Sequence, residues 1–146
     1  MPKDIVLATG VFDILHDEHR SFLRKAKALG GKLIVGIESD VRVRQLKGPT
    51  RPIHPQSLRK ENLEKLGFID EVFVLPDAFS EKEQHRALLA TIHPTILAVS
   101  ENTPFIESKQ QLMQEIGGRV VIVHKHNPAI STSKILAEHA AQNTAP

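Results

Sequence analysis

Cysteine, tryptophan and tyrosine are all absent from this chain. Without cysteine there is neither a disulfide framework nor a thiolate metal site. Six phenylalanines are the only aromatic side chains, too few for the stacking platforms on which single-strand nucleic-acid binders lay successive bases. No apolar run approaches the roughly 20 residues that a membrane span requires. The first residues pass directly into an apolar stretch of strand length, not the longer one of a secretion signal. These absences predict a cytoplasmic protein with neither a membrane nor a nucleic acid as partner. Net charge is scarce as well: 19 basic and 17 acidic side chains leave +2, too little for a polyanion-binding surface. Eight histidines would add positive charge just below neutrality, which suits a small anionic ligand.

What is present is an ordinary globular composition, 40% hydrophobic and 25% charged over 146 residues, enough for one continuous core. Short apolar runs of strand character occur at Ile5–Ala8, Leu33–Ile37, Glu71–Leu75, Thr95–Val99 and Arg119–Val123. Helical periodicity occupies His19–Leu29, Pro55–Leu66, Ser80–Ile92 and Ile106–Ile116, and Ser131–Ala141 closes the series. Gly30-Gly31 and Gly117-Gly118 punctuate two helix ends, and Ser80 with Glu83 has the spacing of a capping box. Strands alternating with helices predict a Rossmann-like α/β fold: a doubly wound parallel sheet of about five strands with helices on both faces. No linker or repeat divides the chain, so a single domain over residues 1–141 is expected, with 142–146 as a frayed tail.

In such a sheet ligands collect at the carboxyl ends of the strands, where the strand order reverses. The turn after the first strand reads Thr9-Gly10-Val11-Phe12-Asp13, followed by His16 and His19. Gly10 lets backbone approach a ligand, and the following helix start offers N–H groups to phosphate. His16 and His19, three apart near that start, can face one space and donate ring N–H to a phosphoryl oxygen. Taken alone, the pair also fits a polar helix end, or a zinc site lacking a third ligand at diagnostic spacing.

The stretch resembles the cytidylyltransferase-like nucleotidyltransferase family, whose hallmark is G-x-F-D-x-x-H-x-G-H; Gly10, Phe12, Asp13, His16 and His19 match it in type and spacing. Downstream, Ser39-Asp40 and Leu46-Lys47-Gly48-Pro49-Thr50-Arg51-Pro52 look like the adenylyl-transferring branch, the ADP-heptose synthases, and Arg59 falls where such enzymes carry an arginine. Ile130-Ser131-Thr132-Ser133-Lys134-Ile135 is similar to the I-S-T-T-x-I signature that opens the family's last helix. The glycerol-3-phosphate cytidylyltransferases are another related branch. The resemblance implies transfer of a nucleotidyl group from ATP or CTP, with Mg2+, to a phosphorylated or hydroxyl acceptor, releasing pyrophosphate. It further implies catalytic roles for His16, His19 and Lys47, the last on a mobile loop. Nucleotide binding would fall to Thr9, Gly10, Val11, Phe12, Asp13, Arg59, Ser131, Thr132 and Ser133. No protein side chain would ligate the metal directly, and a homodimer is implied because members are commonly dimers. Beside these roles stand plainer ones: Lys47 and Arg51 as a solvated basic loop, Arg59 as an exposed helical charge, and the Ser131–Ser133 triplet as a helix cap.

Two positions depart from the family pattern. Glu18 replaces the motif glycine, placing a carboxylate where a nucleotide would pack, and Ser100-Glu101-Asn102-Thr103-Pro104 replaces a glycine- and aspartate-rich segment. The first supports an alternative function, a catalytically weak nucleotide-binding protein of the same fold. The second leaves the acceptor open. A metal-dependent hydrolase using His16 and His19 as ligands is the third expectation.

Overall fold

The computed structural model describes residues 4–124. Five parallel strands form one sheet in the order β3-β2-β1-β4-β5, as expected for a doubly wound domain. They are β1 (Ile5–Gly10), β2 (Lys32–Ile37), β3 (Glu71–Val74), β4 (Ile96–Ser100) and β5 (Arg119–His124). The helices are α1 (Asp17–Ala28), α2 (Asp40–Lys47), α3 (Gln56–Glu64), α4 (Lys82–Ile92) and α5 (Ile106–Glu115). The expected closing helix Ser131–Ala141 and the tail 142–146 lie outside the described residues.

Strand alternation sorts the core into two layers. Val6 and Ala8 of β1, Leu33 and Val35 of β2, and Ile96 and Ala98 of β4 pack with Leu23 and Ala26 of α1 and Leu63 of α3. Their neighbours Leu7, Ile34, Leu97 and Val99 face the opposite way, onto Leu89 of α4 and Leu112 and Met113 of α5. A strand covered on both faces must be apolar at every position, which explains the unbroken runs in the sequence. Gly118 enters β5 where a Cβ would stand 2.8 Å from the Thr95 carbonyl oxygen and 2.6 Å from the end of Met113. That close approach reserves the position for glycine.

Several boundaries differ from the sequence expectation. α1 starts at Asp17, because His16 is its N-cap and the Nδ1 atom of that side chain accepts from the Glu18 N–H at 3.2 Å. α4 starts at Lys82: the capping box is Glu81 with Gln84, so Ser80 and Glu83 do not form it. α2 was not expected at all. Its eight residues carry one buried side chain, Val43, and so little periodicity that only the Ser39 cap, accepting from Arg42 N–H at 3.2 Å, marks it.

Candidate active site

β1 is flanked by β2 on one side and by β4 on the other, and the connections leave in opposite directions there. A cavity of about 600 Å³ opens above this switch point. Its floor is Thr9, Gly10 and Val11 at the end of β1 and Leu97 to Ser100 of β4, and His16, Glu18 and His19 of the α1 start form one wall.

The turn is shaped by Gly10 and Phe12. Phe12 adopts a left-handed backbone (φ 49°), strained for a residue with a Cβ. Its ring folds back over Gly10, where a Cβ would stand 2.9 Å from the ring edge. That ring meets His19 edge to face, centroids 5.3 Å apart. His19 in turn stacks on His16 at 3.8 Å between centroids and 21° between planes. Two charged imidazoliums would repel in this stack. Burial, followed by the neighbouring His16, pushes the His19 pKa down to about 3. Burial also lowers that of His16, against the pull of Glu18. Both rings are therefore neutral at physiological pH. With its Nδ1 accepting from Glu18, His16 carries its proton on Nε2. The Nδ1 of His19 is buried with no hydrogen-bond partner among the described residues.

Lys47 and Arg51 also line the cavity. Lys47 is the last residue of α2 and not part of a loop, a correction to the expectation. The chain then reverses through Gly48 at φ 102°, a backbone that L side chains rarely adopt. Burial, then Arg51, holds the Lys47 pKa below the usual lysine range. The Nε atom of Arg51 lies 3.3 Å from Asp13, while its Nη2 is buried and unpartnered.

Asp13 and Arg59, both expected to bind nucleotide, are not on the cavity wall. The Asp13 carboxylate is buried and accepts from the backbone N–H of Ile53 at 2.9 Å and His54 at 2.8 Å, tying the 51–54 segment to the β1 turn. Arg59 is fully buried. Its guanidinium donates to the carbonyls of Val11, Glu38 and His54 at 2.8–3.0 Å and to the Asp40 carboxylate at 2.8 Å. It braces from beneath the loops that carry the site. It is also no exposed helical charge. Ser131, Thr132 and Ser133 lie outside the described residues.

The structure adds residues that the sequence reading passed over. Glu38, one position beyond β2, and Lys109 of α5 line the cavity, together with Thr103. The place of Glu38 at a strand's carboxyl end beside the switch point was a usable signal. Lys109 is a mid-helix lysine without one. Among the described residues no group of three or more His, Cys, Asp or Glu side chains is arranged to hold a metal ion, so His16 and His19 gain no third ligand there. The carboxylates facing the cavity are Glu18 and Glu38, hard oxygen donors of the kind magnesium accepts.

Fold and site thus define an open α/β domain with a cavity at its switch point walled by two imidazoles, two ammonium groups and a guanidinium. The chain belongs to the cytidylyltransferase-like family, which it matches over residues 7–138. It is 35% identical over 122 residues to the bifunctional protein HldE of Syntrophotalea carbinolica, and 36% identical over 133 residues to that of Proteus mirabilis. These alignments cover 83% and 90% of this chain but 24% and 27% of the relatives, so the chain spans about a quarter of their length. Among solved structures it is similar to the lipopolysaccharide core biosynthesis protein from Thermoplasma volcanium. The TM-score is 0.69 at 26% identity, covering 86% of this chain and 98% of that one. The fold alone is shared with Thermotoga maritima TmcAL bound with alpha-thio ATP, at TM-score 0.64 and 10% identity, covering 96% of this chain and 50% of that one. Among the described residues no helix is long and apolar enough to cross a membrane.

Proposed function

We propose that this chain is a nucleotidyltransferase that moves a nucleotidyl group, from ATP in preference to CTP, onto a small phosphorylated sugar or polyol. The observation that carries the reading is the stacked, neutral His16–His19 pair on the cavity wall at the start of α1. An acceptor oxygen attacks the α-phosphorus, the bond from that phosphorus to the bridging oxygen breaks, and pyrophosphate leaves with the electron pair. Such chemistry requires positioning and charge stabilisation and no side-chain nucleophile. Neutral imidazoles donate N–H to the α-phosphate oxygens at no cost in protonation. Lys47 and the unpartnered Nη2 of Arg51 supply positive charge to the phosphate chain. Magnesium bound with the triphosphate would neutralise its oxygens, and in this reading no protein side chain need ligate it directly. Ser131, Thr132 and Ser133 complete the triphosphate site in this reading. A cytoplasmic location and a homodimer belong to the same reading, from the family resemblance.

The test is pyrophosphate release from each nucleoside triphosphate with magnesium and a panel of sugar and polyol phosphates. Release that falls at least about 100-fold in both His16→Ala and His19→Ala supports transfer at this pair. Release untouched by either substitution, or no triphosphate binding at all, removes it.

Glu18 favours a second reading, a nucleotide-binding protein of the same fold with weak catalysis, since its carboxylate stands on the cavity wall beside the histidines. Nucleotide binding without turnover, with turnover restored in Glu18→Gly, would select it.

A further inference from the structure

The cavity is also lined by a carboxylate, Glu38, and an ammonium, Lys109, that the reaction outlined above does not use. Glu38 follows β2, and its backbone is fully engaged: its N–H donates to the Gly10 carbonyl at 2.9 Å and its carbonyl accepts from Arg59 at 2.8 Å. The side chain is 15% exposed, and its Oε2 is buried with no hydrogen-bond partner. Arg42 Nε, likewise buried without a hydrogen-bond partner, forms an ion pair with that oxygen at 3.6 Å, too long for a hydrogen bond. Burial outweighs Arg42, Arg59 and Lys109 and lifts the Glu38 pKa above the usual carboxylate range. Lys109, attracted electrostatically by Glu38, donates to Thr103 Oγ1 at 2.6 Å and is otherwise held in the cavity wall. A buried carboxylate oxygen without a hydrogen-bond donor is costly, and a group of this kind on a cavity wall is one that a bound ligand can satisfy.

The chemistry of the pair selects that ligand. An anion would be drawn by Lys109 and repelled by Glu38, and a cation the reverse. A hydroxyl satisfies both, donating its hydrogen to the carboxylate and accepting from the ammonium. Resting on the nucleotidyl-transfer reading, we propose that Glu38 and Lys109 form a hydroxyl-recognition subsite in the wall of this cavity that selects a hydroxylated ligand, sugar or polyol. The shared chemistry is a sugar hydroxyl, carried by the acceptor or by the ribose of the nucleotide.

Equilibrium binding needs no turnover and separates the sources. One arm compares ATP with 2′-deoxy-ATP and 3′-deoxy-ATP. The other compares glycerol 3-phosphate and heptose 1-phosphate with propyl phosphate, which lacks the hydroxyls, in the presence of a non-hydrolysable ATP analogue. Both are run on the wild-type chain, Glu38→Gln, Glu38→Ala and Lys109→Met. Loss of a hydrogen bond to a charged group corresponds to roughly a tenfold to hundredfold weakening. Glu38→Ala should weaken the hydroxylated probes of one arm by that factor and leave the deoxygenated partners unchanged. Glu38→Gln, whose amide carbonyl still accepts, should lose less. A thermal melt supplies a readout that a structural role would move the other way: removing a buried charge whose oxygen lacks a hydrogen-bond donor should leave Glu38→Gln as stable as the wild type or more so. Equal losses for hydroxylated and deoxygenated probes, no loss in either arm, or a destabilised Glu38→Gln overturns the subsite. ATP binding and His16-dependent pyrophosphate release would then leave the transfer reading standing. Absence of both sinks the two together.

Discussion

Asp13 and Arg51 meet at 3.3 Å with their side chains 0% and 10% exposed, joining the turn after β1 to a segment 38 residues away. Asp13 also accepts from two backbone N–H groups, so three donors converge on one carboxylate. Asp13→Asn keeps the shape but loses the charge and part of that acceptance. Breaking a buried pair from one side costs about 3 kcal/mol, which at this chain size lowers Tm by roughly 6–12 °C. Calorimetry checks the melt. Activity should fall with it, because Arg51 loses its anchor.

His16 has two separable tasks, capping α1 and facing the cavity. Asn is as good an N-cap acceptor as any residue. His16→Asn should therefore hold Tm within about 2 °C while pyrophosphate release drops about 100-fold. His16→Ala should lose both, with about 1 kcal/mol of stability gone with the cap. If the two variants are equally unstable, the cap assigned to His16 Nδ1 is wrong.

The His19 pKa near 3 makes folding pH-dependent. Above the unfolded value of about 6.5 both states are neutral and the full stability is present. As pH falls from 6.5 towards 3, the unfolded chain takes a proton that the folded chain refuses, and stability declines. The ceiling is about 3 kcal/mol between pH 6.5 and 4. Asp13 pulls the His19 pKa up, whereas His16, Arg20 and Lys47 reinforce the depression. Denaturant titrations of the wild type and His19→Gln across that range should diverge, the variant showing the shallower acid limb. Parallel limbs would contradict a neutral, buried His19.

Arg59 spends its guanidinium on three carbonyls and the Asp40 carboxylate. Arg59→Met fills much of the volume but orphans all four acceptors, at an expected cost of about 3–5 kcal/mol. Thermal melting and proteolysis should register this before nucleotide affinity, measured on the remaining folded fraction, changes as much as tenfold. A loss confined to nucleotide binding would return Arg59 to the ligand-contacting role expected from the sequence.

Glu18 lines the cavity in which the proposed reaction would seat a nucleotide, and repulsion between carboxylate and phosphate amounts to roughly 1–4 kcal/mol at a few ångströms. Glu18→Gly should raise ATP affinity about tenfold at low salt, while losing about 1 kcal/mol of helix propensity. Isothermal titration at two ionic strengths measures both the gain and its screening. Unchanged affinity would place the carboxylate away from the phosphates.

The amino-acid sequence alone determined the succession of strands, four of the five described helices, the parallel sheet and the two histidines after the first strand. Apolar runs and Gly, Phe, Asp and His at short spacing are local signals, legible within a dozen residues. α2 escaped because a short helix with one buried side chain carries almost no periodicity, and Lys47 was assigned to a loop for that reason. Only the tertiary structure decided that Asp13 and Arg59 turn inward as braces, that the imidazoles stack and lose their charge, and that Glu38 of the β2 end shares a cavity with Lys109 of α5. Those outcomes depend on burial and on partners up to 71 positions apart (109 − 38), which are created when the sheet closes and the helices cover it.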